Sequence, residues 1–443
     1  MKFRIKDCLL YVSFTAISVG STFAQTTNGL NNNASLDELI QYALENKIEV
    51  KQSKIDQEIG EREIASALSG WFPQINANGS LSHFTQLPTT NINGQDIAMG
   101  QRNTSALTFQ ADQAIINPGL FQASKAAKYI RQQNNLSVED TKINTVVDVS
   151  KAYYDILTSE EQINIIQENI TRLQRQYTEA NARYETGLVD KTDYKRAQIS
   201  LNNANAELKS ALEIRKYKYD YLKTLLGMNP NNGLTLSFEN QNMEANVLLD
   251  TTEILNYANR VEFKQLQTLK DIQKLNTQYQ KWQFLPTLGA FANYGLNYRN
   301  NSFGDLYGNN FPQSSFGISL NFPIFQGGKR TQEIRKSELQ ESRIEMDIEN
   351  LENQIGAQYS AAMANYRANI NEWRNSKENV ELSEEVYNTI KLQYDAGVKT
   401  YLELMTAETD LKTSQLNYLN SLYAVLSSKL DIQKSLGTVN ITN

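Results

Sequence analysis

The 443-residue chain has one cysteine, one histidine and seven prolines. A single cysteine excludes an intramolecular disulfide, and His83 alone, with no cysteine nearby, excludes a structural zinc site or a catalytic triad. The net charge of −6 is mild, and no basic run indicates a nucleic-acid partner. We therefore expect no enzyme, no catalytic residue, no cofactor and no metal.

Long apolar runs are also missing after residue 24. Residues 1–24 read as a secretory signal peptide, cleaved before Gln25, because a basic start and an apolar stretch precede the small-residue site Thr22-Phe23-Ala24. Cys8 lies in this segment, and Lys6 and Asp7 before it argue against lipidation, which needs small apolar residues there. No later run reaches the about 18 residues of a spanning helix. If the mature protein enters a membrane, we expect a closed β-barrel.

The sequence contains an internal duplication. Residues 184–189, YETGLV, recur 210 positions later as YDAGVK at 394–399, and the helices that follow end in LLG and SLG. A second pair of landmarks, 71–75 and 284–288, lies at an offset of 213. We therefore expect two repeats, 25–250 and 251–443, that share one architecture and form a single unit.

Each repeat contains two segments in which apolar and polar residues alternate, a pattern typical of β-strands. We place these strands at about 75–86, 104–114, 288–298 and 315–323. Each is about ten residues long, the length of a tilted transmembrane strand. The loops between the members of each pair, 86–104 and 299–314, are rich in Asn and Gly and are predicted to be solvated hairpin ends.

The remaining long segments have helical periodicity, and no proline interrupts them. Two stretches follow a coiled-coil spacing: Ile163, Ile166, Ile170, Leu173, Tyr177, Ala180 and Tyr184; and Leu404, Ala407, Leu411, Ser414, Tyr418, Ser421 and Val425. We expect helices at 35–69, 119–185, 191–227, 251–281, 327–395 and 400–437. Their lengths suggest a rod in which 191–227 stacks on 251–281, and 400–437 stacks on 35–69.

The strand count predicts the assembly. Four strands cannot close a barrel, since the smallest transmembrane barrels have about eight. A cyclic homotrimer supplies twelve strands above twelve helical columns. A dimer with eight strands also satisfies the count, but it encloses little more than side chains.

The strand-to-helix turn at 322–328, FPIFQGG, and the tips Tyr184-x-x-Gly187 and Tyr394-x-x-Gly397 resemble those of the TolC-type outer-membrane efflux proteins. The resemblance covers the mature chain. It implies a homotrimeric tube with a twelve-stranded β-barrel in outer-membrane lipid and a helical tunnel through the periplasm. Such tubes are exit ducts of tripartite efflux pumps or type I secretion systems. Their partners are a periplasmic adaptor and an inner-membrane transporter.

The resemblance also implies a gate. It places Lys399 and Asp193 as a latch between neighbouring helix pairs, with Tyr394 in support. In the family two acidic residues line the aperture; here the first is Glu403 and the second position holds Thr406, which weakens the expected binding of cations. Lysine in place of the family's arginine removes bidentate geometry and should weaken the latch.

Two further sets of residues are candidates. The tips, where a hairpin reverses on a glycine, are the expected adaptor-docking site: Gly187, Leu188, Gly397 and Val398. Aromatic residues at matching strand entrances are candidates for the membrane interface, with core packing as the alternative: Trp71, Phe72, Trp282 and Phe284.

Other interpretations stay open at this point. Glu403 could be a solvated surface carboxylate, and Asp193 could serve as a helix-start residue. Gly327-Gly328 lacks the rest of a phosphate-binding motif, so a tight turn is favoured. The chain as a whole could be a secreted coiled-coil fibre or a periplasmic adaptor without a pore. A fibre would not need four strands, and an adaptor would carry compact β domains that the sequence lacks.

Overall fold

The computed structural model of the protein describes residues 33–92, 94–187, 190–237, 243–244, 247–248 and 254–441. The predicted signal peptide lies outside these residues. The protein is mainly helical, with one larger and one smaller β-sheet. Within the described ranges, no helix combines the length and the apolar character needed to cross a bilayer.

Seven α-helices dominate the described residues: α1 (Leu36–Asn46), α2 (Ile48–Leu68), α3 (Pro118–Glu185), α4 (Lys191–Leu226), α5 (Val261–Trp282), α6 (Lys329–Asp395) and α7 (Tyr401–Leu436). The long helices α3 and α6 have 68 and 67 residues, which corresponds to about 100 Å each. Asn117 caps α3 by accepting hydrogen bonds from the N–H groups of Gly119 and Leu120. Pro118 follows in the first turn, where a missing N–H costs nothing.

Two expected helices differ from the structure. The segment 35–69 is broken at Lys47, whose ψ of 133° leaves the helical region and separates α1 from α2. The segment 251–281 becomes α-helical only at Val261, after a short 3₁₀ turn at Tyr257–Asn259. Residues 251–253 lie outside the described residues. Helical periodicity does not reveal either boundary, because a change of ψ at one residue leaves the apolar spacing on both sides intact.

The larger sheet contains β1 (Gln74–His83), β4 (Asn103–Ile116), β5 (Thr287–Asn300) and β6 (Gln313–Asn321), all antiparallel and in the order β1-β4-β5-β6. Phe109 of β4 lies opposite Ala77 of β1 and Tyr294 of β5. The strands β1 and β6 form the edges. Within 86–104, predicted as a loop, a short ribbon of β2 (Thr89–Ile92) and β3 (Gln95–Ala98) is present.

The stacking of the shorter helices corrects an expectation. Helix α4 ends at Gly227, where an added Cβ would lie 2.5 Å from the carbonyl oxygen of Asn46, so α4 abuts the joint between α1 and α2. Helix α7 ends at Gly437, where a Cβ would lie 2.8 Å from the backbone of Asn259, just before α5. The predicted stacking of α4 with α5, and of α7 with α2, is wrong. Length could not decide this, because α2 and α5 have 21 and 22 residues.

The helices therefore form four columns. Helix α3 packs against α2 and α4 on one side and against α5 and α7 on the other, and α6 packs against α5 and α7. The resulting order is α2 with α4, then α3, then α5 with α7, then α6. This order matches that of the strands, because β1 follows α2 and β6 precedes α6.

The largest apolar core lies where the stacked helices meet. It includes Ile156 of α3, Leu226 of α4 and Ile432 of α7, together with Leu236 and Val247 from the connection after α4. The coiled-coil seams continue from this core towards the tips. Most of their residues are buried or partly buried, although Tyr184 at the end of α3 is exposed.

Candidate functional site at the hairpin tips

The first hairpin reverses at Gly187, between α3 and α4. Gly187 has a φ of +72°, and its N–H donates to the carbonyl of Tyr184 at 3.0 Å. Asp190 then caps α4 by accepting from the N–H of Thr192 at 3.1 Å. Leu188, a predicted docking residue, lies outside the described residues.

The second hairpin repeats this turn with more hydrogen bonds. Gly397 has a φ of +77°, and its N–H donates to the carbonyl of Tyr394 at 2.9 Å. Two further N–H groups, those of Val398 and Lys399, donate to the carbonyl of Gln393. These contacts satisfy carbonyl groups at the end of α6 that lack helical partners.

A capping box starts α7. The hydroxyl of Thr400 accepts from the N–H of Glu403 at 3.3 Å, and the carboxylate of Glu403 accepts from the N–H of Thr400 at 2.9 Å. The ammonium of Lys399 donates to the other carboxylate oxygen of Glu403 at 2.6 Å. The bond from Lys399, followed by those from Thr400, lowers the pKa of Glu403 to about 2. Glu403 is therefore ionised at neutral pH.

The predicted latch residues Lys399 and Asp193 do not form the expected pair within the single chain. Within the described part of the single chain, Lys399 bonds to Glu403 and forms no ion pair with Asp193. Asp193 lies in the first turn of α4, and its charge acts on Tyr394 and Tyr401. Burial, with smaller contributions from the charge of Glu408 and then that of Asp193, raises the pKa of Tyr401 to about 12. The latch between neighbouring helix pairs stays a prediction.

Tyrosines join the two hairpins near the tips. Tyr394 and Tyr401 are buried, with ring centroids 6.2 Å apart, and they share an apolar cluster with Ala180 of α3 and Ala197 of α4. The guanidinium of Arg183 lies 5.2 Å from the centre of the Tyr394 ring. The small alanine side chains allow the rings of one hairpin to pack against the backbone of the other.

Further from the tip, a buried carboxylate ties α7 to α3, a contact that the sequence interpretation missed. Glu408 is 2% exposed and accepts from Asn169 at 3.2 Å, from Arg172 at 3.1 Å and from Gln176 at 2.7 Å. Burial nevertheless raises the pKa of Glu408. A signal was available, since Glu408 lies four residues after Leu404 and three before Leu411 on an apolar stripe.

At the other end of the rod, the aromatic candidates divide into two kinds. Trp71 donates to the hydroxyl of Ser124 at 3.0 Å and packs edge-on against Phe121, while Lys125 lies 4.6 Å from the ring of Trp282. Both tryptophans thus contact the first turns of α3. Their neighbours Phe72 and Phe284 are exposed. A role of these four residues at a membrane interface stays a prediction.

The sequence model of the family described as outer membrane efflux protein matches residues 39–228 and 258–438, so the chain belongs to this family. It is 22% identical over 435 residues to outer membrane protein TolC of Escherichia coli K12, covering 93% of this chain and 84% of that protein. It is 21% identical over 420 residues to outer membrane efflux protein BepC of Brucella suis, covering 92% and 87%.

Solved structures share the fold. The outer membrane protein VceC of Vibrio cholerae superposes with a TM-score of 0.72 at 15% identity, covering 91% of this chain and 96% of that one. The CmeC outer membrane channel of Campylobacter jejuni gives 0.73 at 15% identity, covering 92% and 87%. The protein is an outer-membrane efflux protein, as the tip and turn motifs predicted, and the fibre and adaptor alternatives are not favoured. Members of this family are channels rather than enzymes.

Proposed function

We propose that the protein is the exit duct of a tripartite efflux pump or type I secretion system. In this role it is a passive channel, and an inner-membrane transporter supplies the energy through a periplasmic adaptor. Family membership supports the efflux role. The adaptor, the transporter and the homotrimer belong to the proposal.

The proposal for the assembly rests on the two outer sides of the chain. The strands β1 and β6 leave their outer edges unpaired within the described residues, and the helical columns below them, α2 with α4 and α6, lie on the same two sides. Unpaired strand edges and exposed apolar side chains are both removed when neighbouring copies associate. The large exposed apolar residues of these outer columns are Ile48, Ile55, Ile59, Ile199, Ile214, Tyr217, Tyr221, Leu339, Met346, Leu382, Val386 and Leu392.

A ring of three copies joins each β1 to the β6 of a neighbour and gives a twelve-stranded barrel in the outer membrane. The exposed apolar side chains of β6, with Phe316 90% exposed, Ile318 and Leu320, then face lipid. The helical columns continue this ring into the periplasm as a tunnel. A dimer would close only eight strands, whose lumen side chains largely fill.

Mass measurement of the purified full-length protein in detergent tests the assembly. We expect a mass near three times that of the mature chain after subtraction of bound detergent. A stable monomer or dimer would contradict the proposal.

The hairpin tips are the proposed docking site of the adaptor, since Gly187 and Gly397 mark the end of the rod farthest from the sheet. A Cβ at either glycine meets no atom within 4 Å, so a larger side chain would project from the surface. We expect Gly187→Leu combined with Gly397→Leu to abolish export while trimers still assemble. The matched control is Gly94→Leu with Gly100→Leu, which also have positive φ and open surroundings but lie at the other end of the molecule.

Drug susceptibility of a strain lacking the chromosomal gene measures this effect. Wild type and the control pair should restore resistance, whereas the tip pair should not. Full resistance with the tip pair would contradict docking at these residues. If wild type itself fails to restore export, the proposed function is wrong.

The same tips are the proposed gate. In the resting trimer, Lys399 latches to Asp193 on a neighbouring helix pair with Tyr394 in support, while Glu403 and Thr406 face the aperture. The position of Asp193 near Tyr394 and Tyr401 supports this arrangement. The Lys399–Glu403 bond within the chain competes with the latch, so opening and closing would exchange one carboxylate partner of Lys399 for another.

A further inference from the structure

A basic groove lies between α3 and α6 and begins within about one helical turn of the tips. It has a volume of about 330 Å³, and Leu404 of α7 lies in its wall. Four basic side chains line it: Arg172, Arg175 and Arg183 of α3, and Lys391 of α6. Only two acidic side chains, Glu179 and Asp395, line it with them.

The charges of the groove are incompletely paired. Lys391 bonds to Asp395 at 2.9 Å, and Arg172 bonds to Glu408 at 3.1 Å. Among the described residues, Arg175 and Arg183 form no ion pair, and Arg183 instead lies over the ring of Tyr394. Two guanidinium groups are therefore available to an anionic ligand.

One of the arginines that line the groove has a hydrogen-bond donor without a partner among the described residues. The Nη2 of Arg172 is buried and makes no hydrogen bond in the described structure. Buried polar atoms are rarely left without a partner. An incoming carboxylate would satisfy the guanidinium nitrogen with a charge-assisted bond.

The spacing of the arginines favours a chain segment over a free ion. Arg175 and Arg183 are eight positions apart on one helix, which corresponds to about 12 Å at 1.5 Å per residue. A single phosphate or carboxylate is too small to reach both. A helix laid along α3 with carboxylates at a similar spacing reaches both, because its residues rise at the same rate.

The groove opens away from the proposed aperture. Thr406 follows Leu404 by two residues, which is about 200° around α7 at 3.6 residues per turn. If Thr406 faces the lumen, the groove lined by Leu404 faces the periplasm outside the tube. This step rests on the proposed function.

We propose that the basic groove receives acidic side chains from a helical segment of the periplasmic partner that docks at the tips. The guanidinium groups of Arg175 and Arg183 bind the carboxylates, and the tips limit how far the segment advances. The groove therefore gives the docking a charge requirement that the apolar tip residues do not supply.

Binding to the purified full-length protein in detergent tests the groove directly. The probe is an alanine-based helical peptide of about 20 residues carrying two glutamates at the spacing of Arg175 and Arg183. The same peptide with glutamines and inorganic phosphate serve as comparisons. We expect calorimetric binding of the glutamate peptide alone, weakened about tenfold or more by Arg175→Gln with Arg183→Gln. Equal binding of phosphate, binding that the variant leaves unchanged, or no binding of the glutamate peptide would each overturn the proposal.

Matched controls separate this result from misfolding and from failure of the proposed function. Arg335→Gln with Arg343→Gln removes two charges from α6 outside the groove, where the Arg343 side chain is 81% exposed, and should bind like wild type. The groove variant should retain its trimer mass and helical circular dichroism. In cells, wild-type export combined with normal export by Arg175→Glu with Arg183→Glu would overturn the groove alone. Loss of export by wild type would instead refute the proposed function.

Discussion

The two joints of the rod resemble each other, whereas the two tips differ. At each joint a helix ends on a glycine with positive φ, Gly227 or Gly437, that lies against the chain entering the next helix. A basic residue is buried at each joint, Lys47 at 8% exposure and Arg260 at 6%. Lys47 lies 3.9 Å from Asp148, and Arg260 bonds to Glu262 and to the carbonyl of Ser435.

The tips share the glycine turn and a side-chain cap on the following helix, but the second tip has further charged contacts. In the second tip, Lys399, Thr400 and Glu403 form a connected set of hydrogen bonds around the start of α7. In the described part of the first tip, Asp190 caps α4 with one hydrogen bond to a backbone N–H, and no basic side chain joins it. The duplication has thus kept the features that stiffen the rod and has varied the end at which we propose that gating occurs. Mutations at the joints should therefore lower the stability of the protein, whereas mutations at the tips should alter its function.

The largest expected loss of stability comes from a joint glycine. Gly227→Ala adds a methyl group 2.5 Å from the carbonyl oxygen of Asn46 at a φ of +70°. Left-handed strain of about 1–2 kcal/mol and overpacking of about 1–3 kcal/mol act together. Gly397→Ala is the matched control, because its φ is +77° and nothing lies within 4 Å. Thermal unfolding followed by circular dichroism should show a clearly larger drop for Gly227→Ala, and equal drops would refute the distinction between joint and tip.

Glu408→Ala should have an intermediate effect. It leaves Arg172, Asn169 and Gln176 without their acceptor, a cost of about 1–3 kcal/mol. The contact between α3 and α7 should loosen while the helices themselves persist. Thermal melts and hydrogen exchange of α7 measure this, with the exposed Glu384→Ala of α6 as control. A melting temperature equal to that of the control would show that this buried cluster contributes nothing.

A smaller effect depends on pH. Burial raises the pKa of Glu408 above its usual value, so the folded protein binds this proton more tightly than the unfolded chain. The contribution of Glu408 to stability should therefore increase as pH falls through its raised pKa towards the ordinary value of 4.5. Glu408→Gln cannot titrate. The melting temperature of wild type minus that of the variant should increase as the pH is lowered over this range. A constant difference would refute the raised pKa of Glu408.

Sequence reasoning correctly predicted the elements in which apolar residues recur at a regular spacing. The coiled-coil spacing predicted the seams around Ile166 and Leu411, and the tip and turn motifs identified the family. It missed features that depend on the conformation of one residue or on contacts between residues far apart in the sequence. The break at Lys47 is one ψ angle, and the partners of Glu408 lie more than 200 positions away on α3. Stacking was assigned wrongly because α2 and α5 are nearly equal in length, and only lateral packing distinguishes them.

The partner of Lys399 was predicted in part. The resemblance suggested Asp193, and the structure of one chain shows Glu403. Both carboxylates belong to first turns of helices, Asp193 in α4 and Glu403 in α7. A competition between them depends on the neighbouring copy, which one sequence does not position.

Single-channel conductance in planar bilayers tests the gate most directly. We expect low conductance for wild type and a large rise in conductance or open time for Asp193→Ala with Lys399→Ala. An exposed ion pair contributes about 0–1 kcal/mol, but three copies acting on one concerted opening shift the closed population by tens of fold or more. The control Glu403→Gln removes the competing partner and should not open the channel. Currents of the double variant equal to those of wild type would contradict the account, because closure would then rest on other contacts.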